Sequence, residues 1–153
     1  MRLDTTDEPL LLTGEVPALP DEWPAPGDGV QAGVHARARV RLEANEAGLE
    51  GHVELRRQEQ NRNRFEMEVE HLAPGRMVGF FLESAVGSGE FAQLATCAAN
   101  AEGECEFETE NALPLGLTDI AQLAGRVVQV REMAANGPGG ILLMAIVPVP
   151  VAD

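Results

Sequence analysis

The sequence predicts an all-β chain, an antiparallel β-sandwich of about eight strands with one short helix. Three observations carry that expectation. Apolar and polar residues alternate with a period of two in short segments between residues 34 and 147, the mark of strands with one buried and one wet face. Clusters of Gly, Pro and Asn separate these segments as turns. One segment, Met77 to Leu82, is apolar on both faces, as a central strand is.

Residues 1–33 stand apart from the body at 34–153. Five prolines fall between Pro9 and Pro26, and Gly27 and Gly29 follow, so the segment reads as a Pro-rich arm and linker. Within it, Leu10-Leu11-Leu12 has the character of a short strand. The body opens with Ala36, Ala38, Val40 and Leu42 alternating with Arg37, Arg39 and Arg41. A turn at 45–48 leads to a second strand, with Leu49, Val53 and Leu55 on one face. A turn at 60–63 leads to a third, where Phe65, Met67 and Val69 alternate with Glu66, Glu68 and Glu70. After the central strand and a loop at 84–89, the segments 91–98 and 104–110 read as a hairpin around Asn100-Ala101-Glu102-Gly103. Thr118 as N-cap, Asp119 in the first turn, Ile120 and Leu123 on one face and Gly125 as a stop predict the short helix. The segments 126–131 and 141–147 are the last strands, joined by a loop containing Gly137-Pro138-Gly139-Gly140. That loop is not a phosphate site, because no Lys and Ser/Thr follow it and it leads into a strand.

Burying one face fixes strand register. Inward residues are even-numbered in the first strand and odd-numbered in the second. A four-residue turn at 45–48 therefore sets Arg41 opposite His52, Arg39 opposite Glu54 and Arg37 opposite Arg56. The next pairing is expected to place Arg56 beside Glu66 and Glu54 beside Glu68. The wet face becomes a mixed ladder of Arg and Glu, a solvated face or a charged binding face.

The stretch from Phe65 to Leu82, with Leu72-Ala73-Pro74-Gly75 at its centre, resembles the strand, Leu-x-Pro-Gly corner and strand of fibronectin type III domains. The resemblance implies an immunoglobulin-like sandwich. In that family a Tyr three residues after the Gly closes the corner; Val78 stands there in this chain. About seventy residues follow where the family has two strands. The resemblance implies no functional residue, because such folds host unrelated functions.

Composition narrows the function classes. The net charge of −14 opposes nucleic acid, whose phosphates demand a basic patch. All 11 basic residues are Arg, and Glu exceeds Asp about three to one, which suits a GC-rich coding bias or salt adaptation. There is no Tyr and one Trp, Trp23, which weakens a role in stacking on sugars or bases. No apolar run is long enough for membrane insertion, and residues 1–8 do not resemble a signal peptide. The expected location is extracellular or cell-surface if a signal peptide was removed, and cytoplasmic otherwise.

Candidate chemistry is sparse. Cys97 and Cys105 flank one turn with the same parity, so both sulfurs are expected to project from the inner face of one hairpin. A disulfide without backbone strain needs them directly opposite; two buried free thiols are the second reading, and a redox pair or a metal site the third. His52 and His71 lie on neighbouring strands, but parity sends their rings to opposite faces. Glu104, Glu106, Glu108 and Glu110 form an acidic stripe. Calcium or a basic partner is one reading; an edge strand kept soluble by charge is the other. No catalytic, cofactor or metal motif stands out.

The expected function is therefore a non-enzymatic structural or protein–protein interaction sandwich, a self-assembling surface or filament subunit whose partner is another copy or another protein. The alternative is a small-ligand module using loops at one end of the sandwich, such as 84–89 and 136–140. Two segments are candidates for assembly. Val147, Val149 and Val151, interleaved with Pro148 and Pro150, read as an edge strand with donors removed from one side. Leu10, Leu11 and Leu12 sit on an extended spacer of 18 residues, long enough to reach roughly 60 Å to a neighbour's open edge.

Overall fold

Alternation of this kind buries one face per strand, and two such sheets share a core. The computed structural model describes residues 35–58 and 62–152, which fall in a compact unit from Gly33 to Asp153. The arm with Leu10, Leu11 and Leu12 lies outside the described residues.

Ten antiparallel strands form two sheets. They are β1 (Ala36–Arg41), β2 (Glu43–Ala44), β3 (Glu50–Gln58), β4 (Arg62–Glu70), β5 (Met77–Glu83), β6 (Phe91–Ala98), β7 (Cys105–Glu110), β8 (Val127–Ala134), β9 (Gly137–Ile146) and β10 (Val151–Ala152). The first sheet has the order β10-β1-β3-β4-β7 and the second β2-β9-β8-β5-β6. Eight strands match the expected segments. The two extra ones, β2 and β10, are two-residue pieces formed where the chain changes sheet.

The expected C-terminal edge strand is at the edge of the first sheet, where β10 pairs on one side with β1, but it is confined to Val151–Ala152. The Val147 N–H donates to the Arg126 carbonyl in the second sheet, whereas Val151 pairs with Arg37 in the first. Pro148 and Pro150 lie in the crossing between them, where no ladder asks for their missing N–H groups. Val147 is buried, while Val149 and Val151 are exposed.

The core comes from both inner faces. Val53, Leu55, Phe65, Met67 and Val69 of the first sheet are at most 1% exposed, as are Val78, Phe80, Leu82, Val128, Val130 and Leu143 of the second. Phe107 links the layers, with ring centroids 6.1 Å from Phe65 and 6.2 Å from Phe80. β5 is flanked by β6 and β8, and its outward face is covered by β8 side chains, with Arg131 over Phe81 and Met133 against Gly79.

The first register holds as expected, with Arg41 opposite His52, Arg39 opposite Glu54 and Arg37 opposite Arg56. The second keeps its parity but shifts by two residues, so Glu54 faces Glu66 and Arg56 faces Arg64. The ladder runs on to Gln58 and Arg62, through residues that look like a turn locally. Arg57 and Asn63 pair inside the sandwich, 2% and 6% exposed. Arg57 donates to the Asp119 carboxylate, and the Asn63 amide donates to the Thr118 carbonyl at 3.0 Å.

Their partners lie on the predicted helix, which is a single 3₁₀ turn, Ile120–Leu123. Asp119, not Thr118, is its N-cap. The Asp119 side chain accepts from the Ala121 N–H while Gln122 reaches back to the N–H groups of Thr118 and Asp119. Ile120 and Leu123 are fully buried. A second short 3₁₀ turn, Pro114–Gly116, precedes it. The Gly-rich segment is strand rather than loop: β9 begins at Gly137, and Ala134 pairs with Gly137 across a two-residue turn.

The expected 91–110 hairpin is an arch. β6 pairs with β5 in the second sheet and β7 with β4 in the first. The turn at 100–103 bridges the layers, and Asn100 Oδ1 accepts from the N–H groups of Glu102 and Glu104. Gly103, at φ +82°, passes so close to Leu72 that a Cβ would lie 2.3 Å from its carbonyl oxygen. Cys97 and Cys105 form a disulfide, with Cα atoms 5.9 Å apart. It joins the inner faces of two sheets rather than two strands of one, stapling the sandwich along its β6/β7 edge.

Replacing both cysteines by Ser is expected to cost about 2–3 kcal/mol, the chain-entropy value for so short a loop. Denaturant titration of oxidised wild type against the variant measures it. Asp119→Ala removes both the cap of the 3₁₀ turn and the carboxylate to which buried Arg57 donates, and is expected to cost on the order of 3 kcal/mol. Arg57→Met is expected to cost less, because Asp119 is a quarter exposed and stays hydrated. Equal losses in the two variants would contradict that ordering.

Candidate functional site

Odd-numbered residues of β1 and even-numbered residues of β3, β4 and β7 point to the outer face of the first sheet. The pairings arrange them in rows. One runs Arg41, His52, Glu68, Glu106; the next runs Arg39, Glu54, Glu66, Glu108; a third runs Arg37, Arg56, Arg64, Glu110. Charge therefore changes sign across the face, from arginine on β1 to glutamate on β7.

Several neighbours pair locally. Arg41 meets Glu50 at 3.4 Å, Arg56 meets Glu54 at 3.2 Å, and Arg64 holds Glu108. His52 Nδ1 lies 3.6 Å from Glu68. Such exposed pairs contribute little individually. Glutamates crowd the β4–β7 side of the face, although Arg64 lies 3.8 Å from Glu66. Glu66 shares a hydrogen bond with Glu106, is partly desolvated and is repelled by Glu106 and Glu108, so its carboxyl is pushed up to about 7. Glu68 is raised as well, chiefly by burial and against the pull of His52.

Three sets of donor atoms converge within 4.8 Å on this face: Glu50, Glu70 and His71; His52, Glu66 and Glu68; and Glu68, Glu70 and Glu104. This corrects the expectation that His52 and His71 face opposite sides. His71 has φ +73°, which breaks the alternation at the end of β4 and brings its ring 3.6 Å from Glu50. It also shows what a single-strand reading of the acidic stripe overlooks, since these carboxylates converge across strands. Each set offers three donors, against the six to eight oxygens that calcium takes.

The charged groups that sequence reasoning missed hold the fold together. Glu83, 3% exposed, accepts from the N–H groups of Gly89 at 2.9 Å and Val127 at 3.0 Å. These bonds hold its carboxyl below the usual range. Arg126 donates to the carbonyls of Glu83 and Ser84. Arg76 clamps Glu46 with two bonds, of 2.6 and 2.7 Å, and reaches Glu132 with its other edge. The clamp holds Glu46 below its ordinary range. The signal for Arg57 and Asn63 was present in the sequence, because both share the odd parity of Val53, Leu55, Phe65 and Met67.

The two loops of the ligand-binding alternative do not converge. Leu82 pairs with Val128 and Val78 with Glu132, so the 84–89 loop follows one end of β5 while the β8–β9 turn lies at the other.

Glu66 generates a pH prediction. The folded chain keeps a proton that the unfolded chain releases between pH 4.5 and about 7. Its contribution to stability therefore falls as pH rises through that window. Glu66→Gln is expected to stabilise the protein at pH 8 by on the order of 1 kcal/mol after solvent screening, with no gain at pH 4. Thermal melts at the two pH values measure the difference.

No protein-family model matches the chain, and no curated protein matches it.

Proposed function

We propose that this chain is a non-enzymatic structural or protein–protein interaction β-sandwich, acting as a self-assembling surface or filament subunit. One observation carries the reading. The charged groups set apart by burial are engaged in holding the sandwich: Arg57 with Asp119, Glu83 with two backbone N–H groups, and Arg76 with Glu46 and Glu132. Among the described residues, what remains for partners is the charged outer face of the first sheet, with a shallow concavity between Arg39, Arg41, His52 and Glu68, and the sheet edges. A net charge of −14 directs that surface toward protein rather than nucleic acid. Among the described residues no helix is long and apolar enough to cross a membrane.

The immunoglobulin-like identity belongs to the same reading. Leu72-Ala73-Pro74-Gly75 carries the chain from β4 in the first sheet to β5 in the second, as a corner does. Val78 is fully buried at the Tyr position, and β6 to β10 follow. The inter-sheet disulfide suits an oxidising compartment, so the location we propose is extracellular or cell-surface. The small-ligand alternative now rests on the 84–89 loop without its expected companion.

Sedimentation velocity of the full chain over a wide concentration range tests the proposal. Large, concentration-dependent species are expected. A monomer at every concentration would overturn self-assembly and favour the ligand module. A truncated chain starting at Gly29 tests the arm: assembly identical to that of the full chain removes Leu10, Leu11 and Leu12 as the connector.

A further inference from the structure

We infer that the partner is a second copy of this chain, docked edge to edge so that the glutamate edge β7 of one copy meets the arginine edge β1 of the next. This rests on the self-assembly reading above and adds its geometry.

Among the described residues β7 is an edge strand, and β1, though second to β10, is open beyond Arg37. β7 pairs on one side, with β4. β1 is covered on its outer side by β10 at Ala36 and Arg37 alone. Each open stretch leaves backbone N–H and C=O groups for another strand. The directions also agree. β1, β3, β4 and β7 are successively antiparallel, so β7 runs opposite to β1. A copy shifted along the sheet therefore presents its β1 antiparallel to this β7, continuing the ladder.

Charge selects this arrangement over its rivals. Glu106, Glu108 and Glu110 are exposed on the outer face at one edge, and Arg39 and Arg41 are exposed on the same face at the other. Two β7 edges would set glutamate against glutamate, and two β1 edges arginine against arginine; like charges across an interface cost several kcal/mol. The unlike pairing also sets arginines of the neighbour beside Glu106 and Glu110 at the β7 edge. The arm cannot serve β7 in this way, since residues 1–33 hold seven acidic side chains and Arg2 alone as a base. A contact between different edges related by translation does not close on itself, and it yields open chains of copies rather than dimers.

The test uses full-length chains in sedimentation velocity at low and high salt. Wild type is expected to assemble at low ionic strength and to dissociate as salt screens the contact. Arg39→Glu with Arg41→Glu, and separately Glu106→Arg with Glu110→Arg, are each expected to weaken assembly by about tenfold or more. Glu108 is left in place because Arg64 holds it. Melting curves and far-ultraviolet spectra check that both variants fold. The decisive result is the mixture. One variant has two acidic edges and the other two basic edges, so mixing them is expected to restore assembly. Wild-type assembly that neither reversal affects would overturn the edge contact while leaving self-assembly intact. Loss with the arginine variant alone would overturn it in favour of an acidic segment, such as the arm, on β1. A wild-type monomer that binds a basic protein such as cytochrome c, and loses it on Glu106→Arg with Glu110→Arg, would overturn the second copy as occupant and the self-assembly reading with it.

Discussion

A strand can send only every second side chain into a shared core, and in this protein that constraint governs both faces of the first sheet. Burying Val53, Leu55, Phe65, Met67 and Val69 commits the intervening positions of β3 and β4 to solvent. With Ala36 and Ala38 buried on β1 and Phe107 turned inward on β7, the outer residues of four strands fall into register. The charged rows are thus a consequence of core packing. A slip of one residue would bury arginine and glutamate together, at a cost no surface ion pair offsets. The slip of two residues that separates the expected from the actual β3–β4 pairing keeps the core intact, and so needs another arbiter.

That arbiter is polar and distant in sequence. Arg62 and Asn63 read locally as turn residues, and nothing nearby argues for extending the ladder through Arg57 and Asn63. The extension is stable because Asp119 and the Thr118 carbonyl receive those groups, on a turn more than fifty residues later. The inward parity of Arg57 was legible, but its partner was not. The same distinction separates the two registers, since the β1–β3 ladder needs only its own apolar residues and followed from parity and turn length alone.

Parity is silent about which sheet a strand joins. Cys97 and Cys105 point inward whether 91–110 folds as a hairpin or as an arch. In the hairpin the sulfurs meet between neighbouring strands; in the arch they meet across the core. The choice depends on which edges are already free. β5 takes β6 through the 84–89 loop, which Glu83 and Arg126 fasten, and the free side of β4 takes β7. Gly103 then lets the crossing chain lie against Leu72. The disulfide was legible as a pairing of residues and illegible as a staple between layers, because pairing is local and layer assignment is not.

The absence of lysine gains meaning beside these contacts. A guanidinium offers five donors in a fixed plane, and an ammonium is a single compact charge. Arg76 uses two edges of that plane to hold Glu46 and Glu132 at once. Arg126 reaches three carbonyls, of Gln122, Glu83 and Ser84. Arg131 donates to the Gly139 carbonyl while its guanidinium lies 5.7 Å from the centre of the Phe81 ring. Each is a junction between segments distant in sequence, and a lysine in its place could satisfy only part of the geometry. In a chain this acidic, cations are few, and these arginines are placed where one side chain must hold several groups. The arginines of β1 differ in kind. Arg39 and Arg41 stand exposed on β1 beyond its short pairing with β10, and Arg41 has a loose partner in Glu50. Their charge is therefore available to whatever meets that stretch, which is where the fold leaves its electrostatic balance open.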